Sequence, residues 1–171
     1  GQSTFRITGG TDIEFQSDDR QEFSNGGIPN SEVGKLNNER VFSVLTVGAQ
    51  ELNQHEQVLG IGPFFEVEWS PRPDMILTAG GRYDRYRFKV DDKFLSDGTD
   101  DSGSRTMNQF SPMVGVTYKP RPYVALYGVF STSFQTPTTN ELSNQPAQEG
   151  GFNPNLNPER LRGFEGGAKG F

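Results

Sequence analysis

Apolar residues recur at every second position along several stretches of this chain. In "TFRITGGTDIEFQ", Phe5, Ile7, Thr11, Ile13 and Phe15 share one parity, and Arg6, Thr8, Asp12, Glu14 and Gln16 share the other. That is the period of a strand with one apolar face, not of a helix. "VLGIGPFFEVEW" repeats it, with Leu59, Ile61, Phe65, Val67 and Trp69 set against Gly60, Gly62, Phe64, Glu66 and Glu68. "MILTAGGRYDRYRFKV" places Met75, Leu77, Ala79 and Tyr83 together, against Thr78, Arg82 and Asp84. Past Tyr83 the apolar set moves to Tyr86, Phe88 and Val90, as a bulge or an exit from an apolar environment would require. "TMNQFSPMVGVTYK" aligns Phe110, Pro112, Val114, Val116 and Tyr118, and "YVALYGVFSTSF" and "LRGFEGGAKGF" read as two further strands.

The connections alternate in length. "SPRPD" and "KPRP" are tight turns, whereas residues 17–56, 91–105 and 135–159 are long and polar. Connections that long are uncommon inside a compact soluble domain. Short turns at one end and long loops at the other are the habit of an outer-membrane barrel. The patch "VFSVLTVGAQ" at 41–50 could be a seventh spanning strand. Counting it would put a long acidic loop on the short-turn side, so it is read as an extension inside the first long loop. Trp69 and Tyr118 fall near the short-turn end and Tyr83 nearer the long-loop end, as two aromatic girdles would. The expected fold is all-β: an antiparallel up-and-down transmembrane β-barrel segment, about six strands of a larger barrel.

Composition fits this picture. Only 32% of the 171 residues are hydrophobic, yet there are 14 Phe, 21 Gly and 11 Pro. In a barrel wall only one residue in two must be apolar. The net charge is −6 and no run of Lys and Arg occurs, so nucleic-acid binding is not expected. Cysteine is absent, which excludes a disulfide framework and a cysteine zinc site. No stretch of 18 apolar residues is present, so no transmembrane helix is expected. The opening "GQSTFRITGG" enters a strand almost at once, without a signal peptide, as if cut from a longer chain.

Candidate chemistry is sparse. Arg82 and Asp84 on the polar face could touch substrate; a wall ion pair between adjacent strands is the simpler reading. Asp91, Asp92, Asp97, Asp100 and Asp101 do not have EF-hand spacing and read as a solvated acidic loop. His55 is the only histidine and reads as a surface residue. Phe23, Phe94 and Phe152 sit in polar connections, where aromatics either bind ligands or pack beneath the loop. No catalytic triad or phosphate loop is present, so no enzyme, cofactor or metal site is expected.

The motifs themselves resemble TonB-dependent outer-membrane receptors. "LTAGGRYD", with Arg82, Tyr83 and Asp84, resembles that family's L-x-x-G-x-R-Y-D strand. "SPMVGVTYKPRPYVALYGVFSTSFQTPTTNEL" resembles the stretch that follows, through Pro112, Phe134, Pro137, Glu141 and Leu142. "NPNLNPER", with Asn153, Pro154, Leu156, Pro158 and Glu159, then Glu165 and Gly167, resembles its loop end and re-entry strand. The likeness runs in order over 57–171 and is weaker over 1–56.

The resemblance implies location in the bacterial outer membrane, contact with outer-membrane lipid, and uptake of a scarce nutrient, most commonly a ferric siderophore. Energy would come from the TonB–ExbB–ExbD system through a plug domain that this chain does not contain. The resemblance also implies that the proline-punctuated segment 135–159 folds over or into the barrel mouth. There Pro137 and Pro146 would stop strand pairing, Pro154 and Pro158 would fix an extended approach, and Glu141 and Glu159 would face lumen or water. Phe171 is not expected to close a barrel, because Lys169 and Gly167 break the apolar series. The chain is therefore expected to be a middle piece of a receptor barrel. The competing expectation is a soluble β-sandwich carbohydrate- or ligand-binding module, which would bury Val114 and Phe65 in one core.

Overall fold

A computed structural model describes residues 3–26, 46–144 and 150–170. Residues 41–45, Pro146 and Phe171 lie outside this set. Six strands form one antiparallel sheet: β1 (Thr4–Gly26), β2 (Thr46–Arg72), β3 (Met75–Asp92), β4 (Gly103–Arg121), β5 (Val124–Gln135) and β6 (Glu159–Gly170). Their spatial order is their sequence order, so β1 and β6 are the two edges. A single 3₁₀ turn, Leu95–Asp97, lies between β3 and β4, and a short helix, α1 (Thr139–Ser143), between β5 and β6.

Strand pairing gathers the apolar parity onto one face. Phe5 lies opposite Trp69, Trp69 opposite Leu77, and Leu77 opposite Val116. Ile7, Val67, Ala79, Val114, Phe130 and Phe164 make the next row. These side chains are open: Ile7 is 76% exposed, Val114 51%, Phe65 51% and Phe164 83%. A sandwich would have covered Val114 and Phe65 with a second sheet, and among the described residues there is one sheet. An apolar face this broad, uncovered by protein, fits lipid. At the short-turn end Phe5 stacks on Trp69 with centroids 5.7 Å apart, and the Trp69 indole donates to Ser3 Oγ at 2.9 Å.

Three strands differ from the sequence expectation. β1 continues to Gly26 instead of stopping at Gln16, and β2 begins at Thr46, so much of 17–56 is paired rather than looped. Thr46–Gln50 is the far end of β2. The ladder persists because polar pairs replace apolar ones: Arg20 bridges to Glu22 and lies 3.7 Å from Glu56, and His55 pairs with Asp19 at 2.9 Å. Loss of alternation marked the end of the apolar surroundings, not the end of the strand. The shift past Tyr83 has the same cause. The β3–β4 register runs unbroken from Met75↔Tyr118 to Val90↔Gly103, so no bulge is present. Instead Phe88, Val90 and Met107 are buried on the opposite, inner face.

Candidate functional site in the inner face and its mouth

Glycines on the inner parity of β2 shape the inner wall. Arg82 reaches from β3 across Gly62 to Asp12 on β1, and its Nε donates to Asp84 Oδ1 at 2.5 Å. A Cβ at Gly62 would fall 2.2 Å from Arg82 Nη2 and 2.6 Å from Asp84 Oδ1. Tyr86 crosses Gly60 in the same way, its hydroxyl 3.4 Å from Glu14 on β1. The predicted pair is therefore a three-residue ion cluster spanning three strands. Asp84 is 5% exposed, and its charge is matched by Arg82.

Next to this cluster lies a recess of about 640 Å³, lined by Phe64, Arg82, Asp84, Tyr86, Ser131 and Phe134 among others. Tyr86 and Phe134 have ring centroids 6.2 Å apart. Aromatic walls with a few polar groups suit a bulky, partly polar solute. β5 parts from β4 here. Their pairing ends at Met113↔Ser131, just before Pro112, which has no N–H to give. The Thr132 hydroxyl donates to the Pro112 carbonyl at 3.3 Å.

The described parts of the connection, 136–144 and 150–158, are folded against the upper part of the inner face. Its first turn is a capping box: Glu141 N–H donates to Thr138 Oγ1 at 3.3 Å, and Thr138 N–H donates to Glu141 Oε2 at 2.8 Å. The Thr138 N–H, and then the Thr138 hydroxyl at 3.0 Å, hold the Glu141 carboxyl below its usual value. α1 drives Leu142, fully buried, onto Phe88 and Met107, with Phe152, Leu156, Val58 and Tyr86 around it. Polar ties fix the rest. Asn153 N–H donates to the Leu142 carbonyl at 2.6 Å, and Arg105 donates to the carbonyls of Asn153 and Pro154. Arg20 on β1 donates to Asn140.

Each motif residue has a local role. Pro137 follows the end of β5, and Pro158 precedes Glu159, which opens β6 opposite Gln135. Glu165 accepts from the Tyr127 hydroxyl at 3.0 Å, and Gly167 leaves room for the Tyr127 ring. Tyr83 points to the apolar face, 42% exposed.

Of the five ligand candidates, Arg82 and Asp84 line the recess. Phe152 packs beside Leu142. Phe94 sits at the start of the 3₁₀ turn and Phe23 lies 45% exposed at the far end of β1; neither lines the recess. The loop aspartates accept local backbone bonds, Asp97 from Thr99 N–H at 3.0 Å and Asp100 from Ser102 N–H at 3.0 Å. Asp97 is held below its usual range first by the Thr99 N–H and then by its hydroxyl, and Asp100 first by the Ser102 hydroxyl and then by its N–H. Among the described residues no cluster of three or more His, Cys, Asp or Glu could hold a metal. His55 bridges Asp19 and Ser17.

Sequence reasoning passed over Phe64, Tyr86, Phe88, Met107 and Arg105 as a group. The signal was present in Val58 and Phe64, apolar on a polar parity, and in the glycines at 60 and 62 between them.

An up-and-down antiparallel sheet with a lipid-facing side, a polar side and an in-folded loop defines the wall of an outer-membrane β-barrel. The whole chain, residues 1–171, matches the family model for the TonB dependent receptor-like β-barrel. The chain belongs to that family: it is a transport-receptor barrel of the bacterial outer membrane, and receptors of this family transport rather than catalyse.

Proposed function

We propose that the receptor takes up a ferric siderophore and that the recess beside Arg82 forms part of the path or binding wall. The observation that carries this is the combination of Phe64, Tyr86 and Phe134 with the Arg82–Asp84 pair around a space of about 640 Å³. Ferric chelates are large, and commonly aromatic or anionic. The stacking surface of Phe64, Tyr86 and Phe134 suits the aromatic ones, while the Arg82 charge is matched by Asp12 and Asp84.

The six strands belong to a larger closed barrel on this reading. β1 and β6 are open edges, and open edges are not tolerated in lipid. The plug and its contact to the TonB–ExbB–ExbD system would come from the rest of the receptor. The long connections face the cell exterior and the turns at 72–75 and 121–124 face the periplasm.

Uptake of radiolabelled iron by cells whose only such receptor is the full-length protein tests this. Ferric siderophore should support TonB-dependent uptake, and Tyr86→Ala with Phe134→Ala should weaken it. Uptake of cobalamin or an oligosaccharide, with no ferric siderophore active, would replace the substrate assignment.

A further inference from the structure

Side chains on the lipid side of β3 change character abruptly above Tyr83. Met75, Leu77, Ala79 and Tyr83 are followed on the same parity by Arg85 and Arg87. Both arginines are exposed. Arg85 stands between Ile61 on β2 and Asn108 on β4, and Arg87 between Leu59 and Thr106. Among the described residues no carboxylate faces them from the paired positions of β2 and β4. The nearest cation above, Lys89, is already paired with Asp91 at 2.7 Å, and Asp19 is taken by His55 and Lys93. Acidic residues of the neighbouring strands, Asp12, Glu14, Glu56 and Asp84, have the other parity and face inward. Among the described residues neither Arg85 nor Arg87 has an ion-pair partner.

Two arginines two residues apart on one strand have Cα atoms about 7 Å apart, and their side chains leave the same face. Like charges held that close, at the edge of a low-dielectric slab, call for an anion. Their stems can lie along Ile61 and Leu59 while the heads rise out of the apolar band. The planar fork of each arginine matches two oxygens of a phosphate, and Thr106 and Asn108 add neutral donors beside it.

We propose that Arg85 and Arg87 form a site for the phosphate groups of a lipid headgroup at the extracellular border of the bilayer. The site is distinct from the inner-face recess. It rests on the orientation proposed above, which antibody access to a tag near Gly98 scores independently.

The test uses the full-length receptor in mild detergent, with bound lipid counted by native mass spectrometry. The probes are bisphosphorylated lipid A, the same lipid with its phosphates removed, and inorganic phosphate as competitor. Expected is retention of the phosphorylated lipid, with affinity falling about fivefold for Arg85→Gln or Arg87→Gln and about thirtyfold for both together. Arg85→Lys with Arg87→Lys keeps the charge but loses the paired fork, so it should fall between the parent receptor and the double glutamine variant, and Lys119→Gln on the inner face should leave binding unchanged. The dephosphorylated lipid needs no variant and so serves even if the double substitution misfolds. Equal retention of both lipids overturns the proposal. So does displacement by inorganic phosphate at concentrations comparable to the lipid, or an unaltered double glutamine variant.

Discussion

Arg82 meets Asp12 although a whole strand lies between them. The contact exists because Gly62, on the intervening strand, has no side chain in the way. Arg82 also holds the nearly buried Asp84, so one guanidinium serves carboxylates on its own strand and on the strand beyond its neighbour.

This tie can be read by a double-mutant cycle. Asp12→Asn should cost the full-length receptor about 0.5–1 kcal/mol in urea unfolding from lipid vesicles, because the Arg82–Asp12 pair is partly exposed. Gly62→Val should break the same contact by filling the gap. Asp12→Asn made in the Gly62→Val background should then cost close to nothing. Additive losses would show that Gly62 matters for some other reason.

Leu142 locks the in-folded connection. Leu142→Ala leaves a hole against Phe88 and Met107 and should weaken docking of the α1 turn by about 2–5 kcal/mol. Hydrogen exchange should rise from Thr138 to Asn144 while β3 and β4 keep their protection. Loss of protection throughout the wall would mean that the connection is needed to build the barrel.

Glu141 makes that docking sensitive to acid. Its carboxyl is held below the ordinary value, first by the Thr138 backbone N–H and then by the Thr138 hydroxyl. A lowered carboxyl contributes stability that is present above the unfolded value, roughly pH 4.3, and is lost as pH falls through the lower folded value. Protease sensitivity of the segment should therefore rise only in that acid window. In Glu141→Gln the acid step should vanish. An unchanged acid step in that variant would locate the titration elsewhere.

Val114 and Thr117 lie three apart on β4, so they face opposite sides. Val114→Arg places a charge in lipid and should cost about 2–4 kcal/mol, whereas Thr117→Arg should stay hydrated on the inner side and cost little. Lipid-soluble quenchers should reach a fluorophore at 114 and not at 117. Equal quenching would falsify the wall assignment of this strand.

Gly98 has a left-handed φ of 88° and open space around it. An epitope inserted after it should be tolerated and reachable by antibody on intact cells, while one at Arg121 should be hidden. The reverse pattern would invert the orientation.

The apolar face, the turns and the in-folding of the connection were legible in the sequence. Alternation at Phe5–Phe15 or Phe110–Tyr118 reports which side meets lipid, Pro137 reports where pairing stops, and Pro154 and Pro158 mark the extended approach to β6. The upper halves of β1 and β2 were not legible, because neither face there is apolar: even the buried positions are polar, Gln54 donating to Glu56, and such a ribbon shows no hydrophobic period. His55 opposite Asp19 carries pairing information only once the partner strand is known. The inner cluster was hidden for a different reason. Phe88, Met107 and Leu142 come from three distant segments, and only the fold shows that they converge.

The polar upper part of the β1–β2 hairpin has a consequence for recognition by other molecules. From Gln16 to Gly26 the strand rises some 35 Å along its length. Neighbouring side chains there point in opposite directions, so a flat binder lying on one side touches every second residue of β1 and the facing residues of β2. An antibody raised against the linear peptide 17–26 would see all nine side chains together and would meet a different surface on the cell. Sera against the intact ribbon, in contrast, should respond to paired positions such as Asp19 with His55, and should change specificity when either member of a pair is exchanged.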